Sequence, residues 1–257
     1  MVAAQGQYAM ITSLYHLNRR APVVAGVTSN DPGNHLINFI HIGLMTEIEP
    51  IPASIAEEKA ELRRQARAVL SNSAPMSPPN CYRLLADVLI QHDRSADVDV
   101  LSLYWPLVGR GEADVSLAMH RLYEAGYTIT LPCTRGPDSP LVFLTWKPGM
   151  TMTDDWAGIP TPANGDVVDP NVLVCPFFMA DPYGTRLGHG YGHYDRSLAQ
   201  LRAKKDNLLA IGFGRAELIR DVIPRADHDE PVDVLLTEEG WQTTNPAGHP
   251  SIQQQET

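Results

Sequence analysis

One stretch, Asp181–Arg196 (DPYGTRLGHGYGHYDR), does most to restrict what this chain can fold into. It follows the uninterrupted apolar run Val172–Cys175, ended by Pro176, and it leads into a helical pattern over His193–Lys204. An apolar run of that kind reads as a strand buried on both faces, as in a parallel sheet covered by helices on two sides. Gly188, Gly190 and Gly192 alternate in the loop between strand and helix. In an α/β sheet the loop beyond a strand's carboxyl end is the usual ligand crevice. Glycines there let backbone N–H groups close on an anion, and the following helix N-terminus adds a favourable dipole. Arg186 places a fixed positive charge beside them. The loop therefore reads as a phosphate cradle, with a purely conformational glycine turn as an equal alternative. No G-K-S/T follows, and His193 breaks G-x-G-x-x-G, so neither nucleotide fingerprint is present.

The remaining pattern agrees with an α/β domain. Ser54 and Glu57 form a capping-box pair, and Leu62, Ala66, Val69 and Leu70 then recur at helical spacing. Residues 71–80 read as a loop, and Leu84, Leu85, Val88 and Leu89 as a second helix. Strands are expected at Asp99–Tyr104, Tyr127–Leu131, Leu141–Trp146, Leu208–Phe213 and Val232–Leu236. Helices are expected at Glu112–Ala125, capped by Gly126, and at Arg215–Asp221. This alternation predicts a three-layer α/β/α domain around a largely parallel central sheet, spanning residues 51–243.

Of the 257 residues, 44% are hydrophobic and 19% charged, enough to bury a core of that size, and the net charge is −10. An acidic chain lacks the positive field that broad nucleic-acid or anionic-membrane binding requires, so neither is expected as a partner. No uncharged apolar run reaches the roughly 18 residues of a spanning helix. Cys81, Cys133 and Cys175 are odd in number and form no C-x-x-C pair. They read as reduced thiols of a cytoplasmic protein. The first 44 residues hold Arg19 and Arg20 against the single acid Asp31. Residues 1–50 are expected to be an N-terminal extension, disordered or untranslated, with Met45 as the true start. Residues 244–257 are expected to be a disordered tail.

Two carboxylates bear on the cradle. Asp195 follows the glycine loop and Asp233 opens a later strand; if both meet in one crevice, they suit Mg²⁺, which takes one or two carboxylates plus phosphates and water. Either alone reads as a cap or an ion pair. His189 and His193 have zinc-like spacing, but Gly190 and Gly192 interrupt the helix that such a pair needs. Lys59, Arg63 and Arg67 recur every four residues along one helix face, which is either solvated or phosphate-binding.

Four ordered motifs carry a family resemblance. LVCPFFMADPYGTRLGHGYGHYDRSLA is similar to the signature of the 5-formyltetrahydrofolate cyclo-ligase family at Pro176, Asp181, Gly184, Arg186, Leu187, Gly188, Gly190, Gly192, Tyr194, Asp195 and Arg196. KAELR at Lys59–Arg63, LYWPLVGRGEAD with Glu112, and IPRADHDEPVDVLLTE resemble three further family segments, so the likeness spans about Glu57 to Glu239. Departures fall at Thr161-Pro162, where Glu-Pro is common, at Glu217, where Gln is frequent, and at the loop's variable positions His189, Tyr191 and His193.

The resemblance implies ATP- and Mg²⁺-dependent cyclisation of 5-formyltetrahydrofolate, with or without a polyglutamate tail, by a monomer or weak dimer. Lys59 and Arg63 would then contact ATP phosphates. Arg186, Leu187, Gly188, His189, Gly190, Tyr191, Gly192, His193 and Tyr194 would wrap the nucleotide, with His189–His193 also facing the folate. Glu112 and Leu107 would hold the folate, and Asp195 and Asp233 the Mg²⁺. Lys59, Arg186 and Tyr194 would carry catalysis, Tyr194 by stacking or hydrogen bonding. The competing readings are a related Mg-ATP enzyme acting on another small substrate and a non-catalytic folate- or nucleotide-binding regulator.

Overall fold

The structure is a computed structural model describing residues 54–73, 83–85, 88, 100–107 and 112–250. The chain divides into two units, residues 1–50 and 51–257. The expected N-terminal extension and Met45 start lie outside the described residues, as do Cys81, Leu89 and residues 74–80 of the expected loop.

The second unit is built on a seven-stranded sheet. In chain order its strands are β1 (Val100–Ser102), β2 (Thr128–Cys133), β3 (Val142–Trp146), β6 (Val172–Pro176), β9 (Leu209–Phe213), β10 (Val234–Thr237) and β11 (Gly240–Thr243). Two small hairpins stand apart, β4 (Met152–Asp154) with β5 (Pro160–Pro162) and β7 (Met179–Ala180) with β8 (Arg186–Leu187). The main order is β11-β10-β9-β6-β1-β2-β3. The five central strands run parallel, and β3 and β11 close the two edges antiparallel.

Helices cover both faces, as the pattern predicts. Alternation within β6 sends Val172 and Val174 to one face, with Met119 and Leu122 of helix α2 (Ser116–Glu124) and with Leu85 and Val88. It sends Leu173 and Cys175 to the other, against Leu198 and Leu201 of α3 (His193–Lys204). Helix α1 (Ile55–Asn72) starts at the expected capping box: Glu57 N donates to Ser54 Oγ at 3.3 Å and Ser54 N to Glu57 Oε2 at 2.8 Å. Its Leu62, Ala66, Val69 and Leu70 pack on Phe178, Met179 and Leu187 around the β7–β8 hairpin.

Strand ends shift from expectation by one or two residues, and three differences are larger. Helix α2 begins at Ser116 rather than Glu112, because Glu112 turns back to accept the Leu107 N–H at 3.0 Å while Asp114 accepts from Ser116 N at 2.9 Å. The expected helix Arg215–Asp221 shrinks to one 3₁₀ turn, Ala216–Leu218. Residues 244–250 are packed rather than a disordered tail. Thr244 N donates to Asp233 O, Asn245 N donates to Pro182 O, and His249 is buried against Ile223.

Candidate active site

The chain reverses its direction of travel across the sheet between β1 and β6. From β1 it moves to β2 and β3, and from β6 it moves the other way to β9 and β10. Such a switch point leaves a crevice outside the strands' carboxyl ends, because the connecting segments leave on opposite faces. A cavity of about 750 Å³ opens there. Tyr104 and Trp105 follow β1 into its wall, Pro132 and Thr134 come from the end of β2, and Phe177 and Phe178 follow β6.

Three cations line the cavity. Lys59 reaches it from α1 with its side chain only 9% exposed and pairs with Asp229. One turn further along, Arg63 donates from Nε to Gly188 O at 3.0 Å. Burial lowers the pKa of Arg63, opposed by Asp229, and the guanidinium stays charged at neutral pH. Gly190 has φ +102, a conformation that L side chains rarely adopt, so the turn beside the Arg63 guanidinium requires glycine.

Arg186, on β8, is the most enclosed of the three cations. It donates from Nη2 to Asp195 Oδ1 at 3.0 Å, and its guanidinium carbon lies 5.3 Å from the Tyr194 ring centroid. Burial opposes its charge, but Asp195 and lesser neighbours keep its pKa above the ordinary value. Its Nε is buried and has no hydrogen-bond partner among the described residues. An orphaned donor on a buried cation that lines a cavity fits an anionic ligand oxygen. Burial also pushes the Tyr194 phenol well above its usual pKa, so it stays a neutral hydroxyl.

Much of the remaining lining is aromatic, and Glu112 stands within it. Glu112, its side chain 7% exposed, accepts from Leu107 N on Oε2 and holds His189 Nε2 3.4 Å from Oε1. The His189 ring meets Phe178 edge-on, with centroids 4.6 Å apart. Tyr191 stacks on His193, whose Nδ1 lies 2.9 Å from Ser139 O. Gly192 opens α3 at φ +68, and Leu187 is buried beneath the loop. The two histidines thus face Glu112 and Ser139 rather than each other, and no cluster of three metal-ligating side chains occurs among the described residues.

The expected metal pair does not assemble. Asp195 lines the cavity, but Asp233 does not. Asp233 stands at the amino end of β10, accepting from Ala210 N at 2.7 Å and from Arg202 at 3.2 Å. Arg202 is seven residues beyond Asp195 on α3, a rise of about 10 Å away from the crevice. Asp229, four residues before Asp233 in the same motif, does line the cavity with Asp195, as do Glu112 and Asp155. Asp195 accepts Arg186 and Glu230 N on Oδ1, and Asp229 accepts Lys59 and Ala226 N on Oδ2. Sequence reasoning also passed over Trp156, which lines the cavity from the β4–β5 turn and is 56% exposed. The departures Thr161 and Glu217 both lie outside the cavity lining, Glu217 instead accepting from Ser73.

Residues 55–238 match the 5-formyltetrahydrofolate cyclo-ligase family. The chain belongs to that family. It is 30% identical over 135 residues to the 5-formyltetrahydrofolate cyclo-ligase of Escherichia coli strain K12, covering 49% of this chain and 72% of the relative. It is 27% identical over 141 residues to the cyclo-ligase of Mycolicibacterium smegmatis, covering 51% and 69%. In fold it is similar to the solution structure of Aquifex aeolicus 5,10-methenyltetrahydrofolate synthetase, with TM-score 0.52, 24% identity and coverage of 72% of this chain and 92% of that one. The synthetase structure from Mycoplasma pneumoniae gives TM-score 0.52 at 16% identity, with 70% and 98% covered. The cyclo-ligase match takes in the whole cavity lining, from Ile55 to Asp229.

Proposed function

We propose that this chain closes 5-formyltetrahydrofolate to 5,10-methenyltetrahydrofolate at the expense of ATP, releasing ADP and phosphate. The observation that carries the reading is one cavity lined both by the cations Lys59, Arg63 and Arg186 and by aromatic side chains beside Glu112. A folate needs the second and a triphosphate the first, and the reaction needs the two in contact.

The chemistry explains the absence of a side-chain nucleophile from this reading. The formyl oxygen is amide-like and leaves poorly. Its attack on the γ-phosphorus forms an O–P bond and breaks the bond to the β-phosphate oxygen, releasing ADP. N10 of the folate then attacks the formyl carbon and loses its proton, and the C–O electrons depart with phosphate. The protein's task is alignment and charge neutralisation. Lys59, Arg63 and the orphaned Nε of Arg186 bind phosphate oxygens, and the glycine loop closes its N–H groups around them. Tyr194 holds the Arg186 cation by its ring face. Glu112 orients the folate by accepting hydrogen bonds from its ring, beside Leu107 and His189.

The hard carboxylate oxygens of Asp195 and Asp229 fit Mg²⁺, which when bound offsets the triphosphate's negative charge. Asp233 is not part of this set. No helix among the described residues is long and apolar enough to cross a membrane, and buried free thiols at Cys133 and Cys175 support a cytoplasmic setting. The test is near-ultraviolet absorbance of the protein mixed with 5-formyltetrahydrofolate, ATP and Mg²⁺. An ATP-dependent rise from the conjugated methenyl product is expected. ATP binding without that rise would overturn the assignment in favour of another substrate.

A further inference from the structure

Residues 244–249 grip the turn that presents Arg186. That turn, Asp181–Thr185, joins β7 to β8, strands of two residues each and too short to hold a loop by their own ladder. Buried Asp181 braces it from within, accepting Tyr183 N at 3.0 Å and Thr185 N at 2.9 Å on Oδ1 and Ile223 N at 2.9 Å on Oδ2. From outside it is held by the segment after β11. Gly184 has φ +84, and a Cβ there would lie 2.4 Å from Val232 O and 3.1 Å from Thr244 Oγ1, so the two backbones are pressed together. Thr244 Oγ1 donates to Val232 O at 2.6 Å, and Asn245 N donates to Pro182 O at 3.0 Å. Arg225 ties Tyr183 O and Thr185 Oγ1 to Pro246 O. His249, 1% exposed, sets Nε2 3.0 Å from Ile223 O and 3.7 Å from Asp181 Oδ2, with its ring edge-on to Tyr183.

None of this is used by the chemistry described above, and residues 244–250 lie beyond the 55–238 family match. We propose that Thr244–His249 form a C-terminal clasp that fixes the Asp181–Thr185 turn and through it the placement of Arg186, making His249 a positioning residue for nucleotide binding. The inference rests on the reading of the cavity as a nucleotide site. Its physical basis is the steep cost of misplacing a binding group by even an ångström. The folate's anchors Glu112 and Leu107 are not touched by the clasp, and only His189 beyond β8 reaches them, so the larger effect falls on the nucleotide.

The test compares KM for ATP and for 5-formyltetrahydrofolate in full-length His249→Ala and His249→Gln, at temperatures where circular dichroism shows both folded. His249→Ala raises KM for ATP about tenfold and leaves KM for the folate within about twofold, while Gln, which keeps an N–H donor, recovers most of the loss. If His249→Ala does not accumulate as folded protein, Thr244→Val carries the same comparison with an expected rise of about threefold. An unchanged KM for ATP, or an equal rise in both constants, overturns the clasp. Failure of the wild-type protein to bind Mg-ATP, read by calorimetry, overturns the nucleotide reading instead, so the two failures are distinguishable.

Discussion

Asp229 and Asp233 stand four residues apart in one motif, and substituting them separates a ligand-binding role from a structural one. Asp233→Ala removes the acceptor of the Ala210 N–H and one partner of Arg202. The Arg202 contact joins side chains 28% and 39% exposed, so its loss costs at most about 0.5 kcal/mol. Ala210 is fully buried, and its stranded N–H costs about 1–3 kcal/mol. A total of about 1–3.5 kcal/mol, at about 2–4 °C per kcal/mol for a domain of this size, lowers Tm by about 2–14 °C. Turnover measured well below the transition stays near wild type. Asp229→Asn removes a carboxylate from the cavity and leaves Lys59 without its counter-charge. Turnover there falls at least about 100-fold, and half-saturation by Mg²⁺ moves to higher concentration. Methenyl absorbance and differential scanning calorimetry on the same preparations read both quantities. A folded Asp233→Ala that has lost Mg²⁺-dependent turnover, beside an active Asp229→Asn, would refute the reasoning.

Glu112→Gln keeps the size and one carbonyl acceptor but removes the charge beside His189, and is expected to raise KM for the folate about tenfold with KM for ATP unchanged, as steady-state kinetics would show. Gly190→Ala places a side chain at φ +102 against Arg63, so ATP affinity measured by calorimetry drops while the fold, by circular dichroism, survives. Burial raises the Cys175 thiol from 9.0 to about 12, so maleimide at neutral pH modifies it only after denaturation, as peptide mass spectrometry would report. The same shift carries a stability sign. Above pH 9 the unfolded thiol ionises while the folded one keeps its proton, so stability is full below pH 9 and falls as pH rises towards about 12. Urea midpoints that stayed level across that window in the Cys175→Ala variant, but fell in the wild type, would confirm the source.

Legibility followed the strength of local patterning. Helix α3 begins and ends at the residues its periodicity gives, because Gly192 stops the pattern at one end and the polar Lys204-Lys205 pair at the other. The capping box at Ser54–Glu57 was equally plain, since both partners are local. The hairpins β4–β5 and β7–β8 were not, because strands of two or three residues hold no period to read. The segment 244–250 reads as polar, yet it is fixed by contacts to Pro182, Ile223 and Val232, distant in sequence. For the metal pair a usable signal existed. Asp233 opens a parallel strand, and the crevice lies at the carboxyl ends, so that residue begins at the wrong end of the sheet.

The same geometry accounts for a cationic cradle in a chain of net charge −10. Buried cations without counter-charges would destabilise the fold by several kcal/mol each in the empty protein. Lys59 is held by Asp229 and Arg186 by Asp195, while Arg63 is satisfied by a backbone carbonyl. On the function proposed above, each carboxylate is thereby pre-placed for a divalent cation and a triphosphate to share the charges between them. A Mg-triphosphate brings both signs together, so both cations and both acids find new partners in one event and none is left stranded. Binding metal or nucleotide alone rearranges only half of these pairs. The two should therefore bind with positive linkage, each tightening the other, and equal ATP affinity with and without Mg²⁺ would contradict this account.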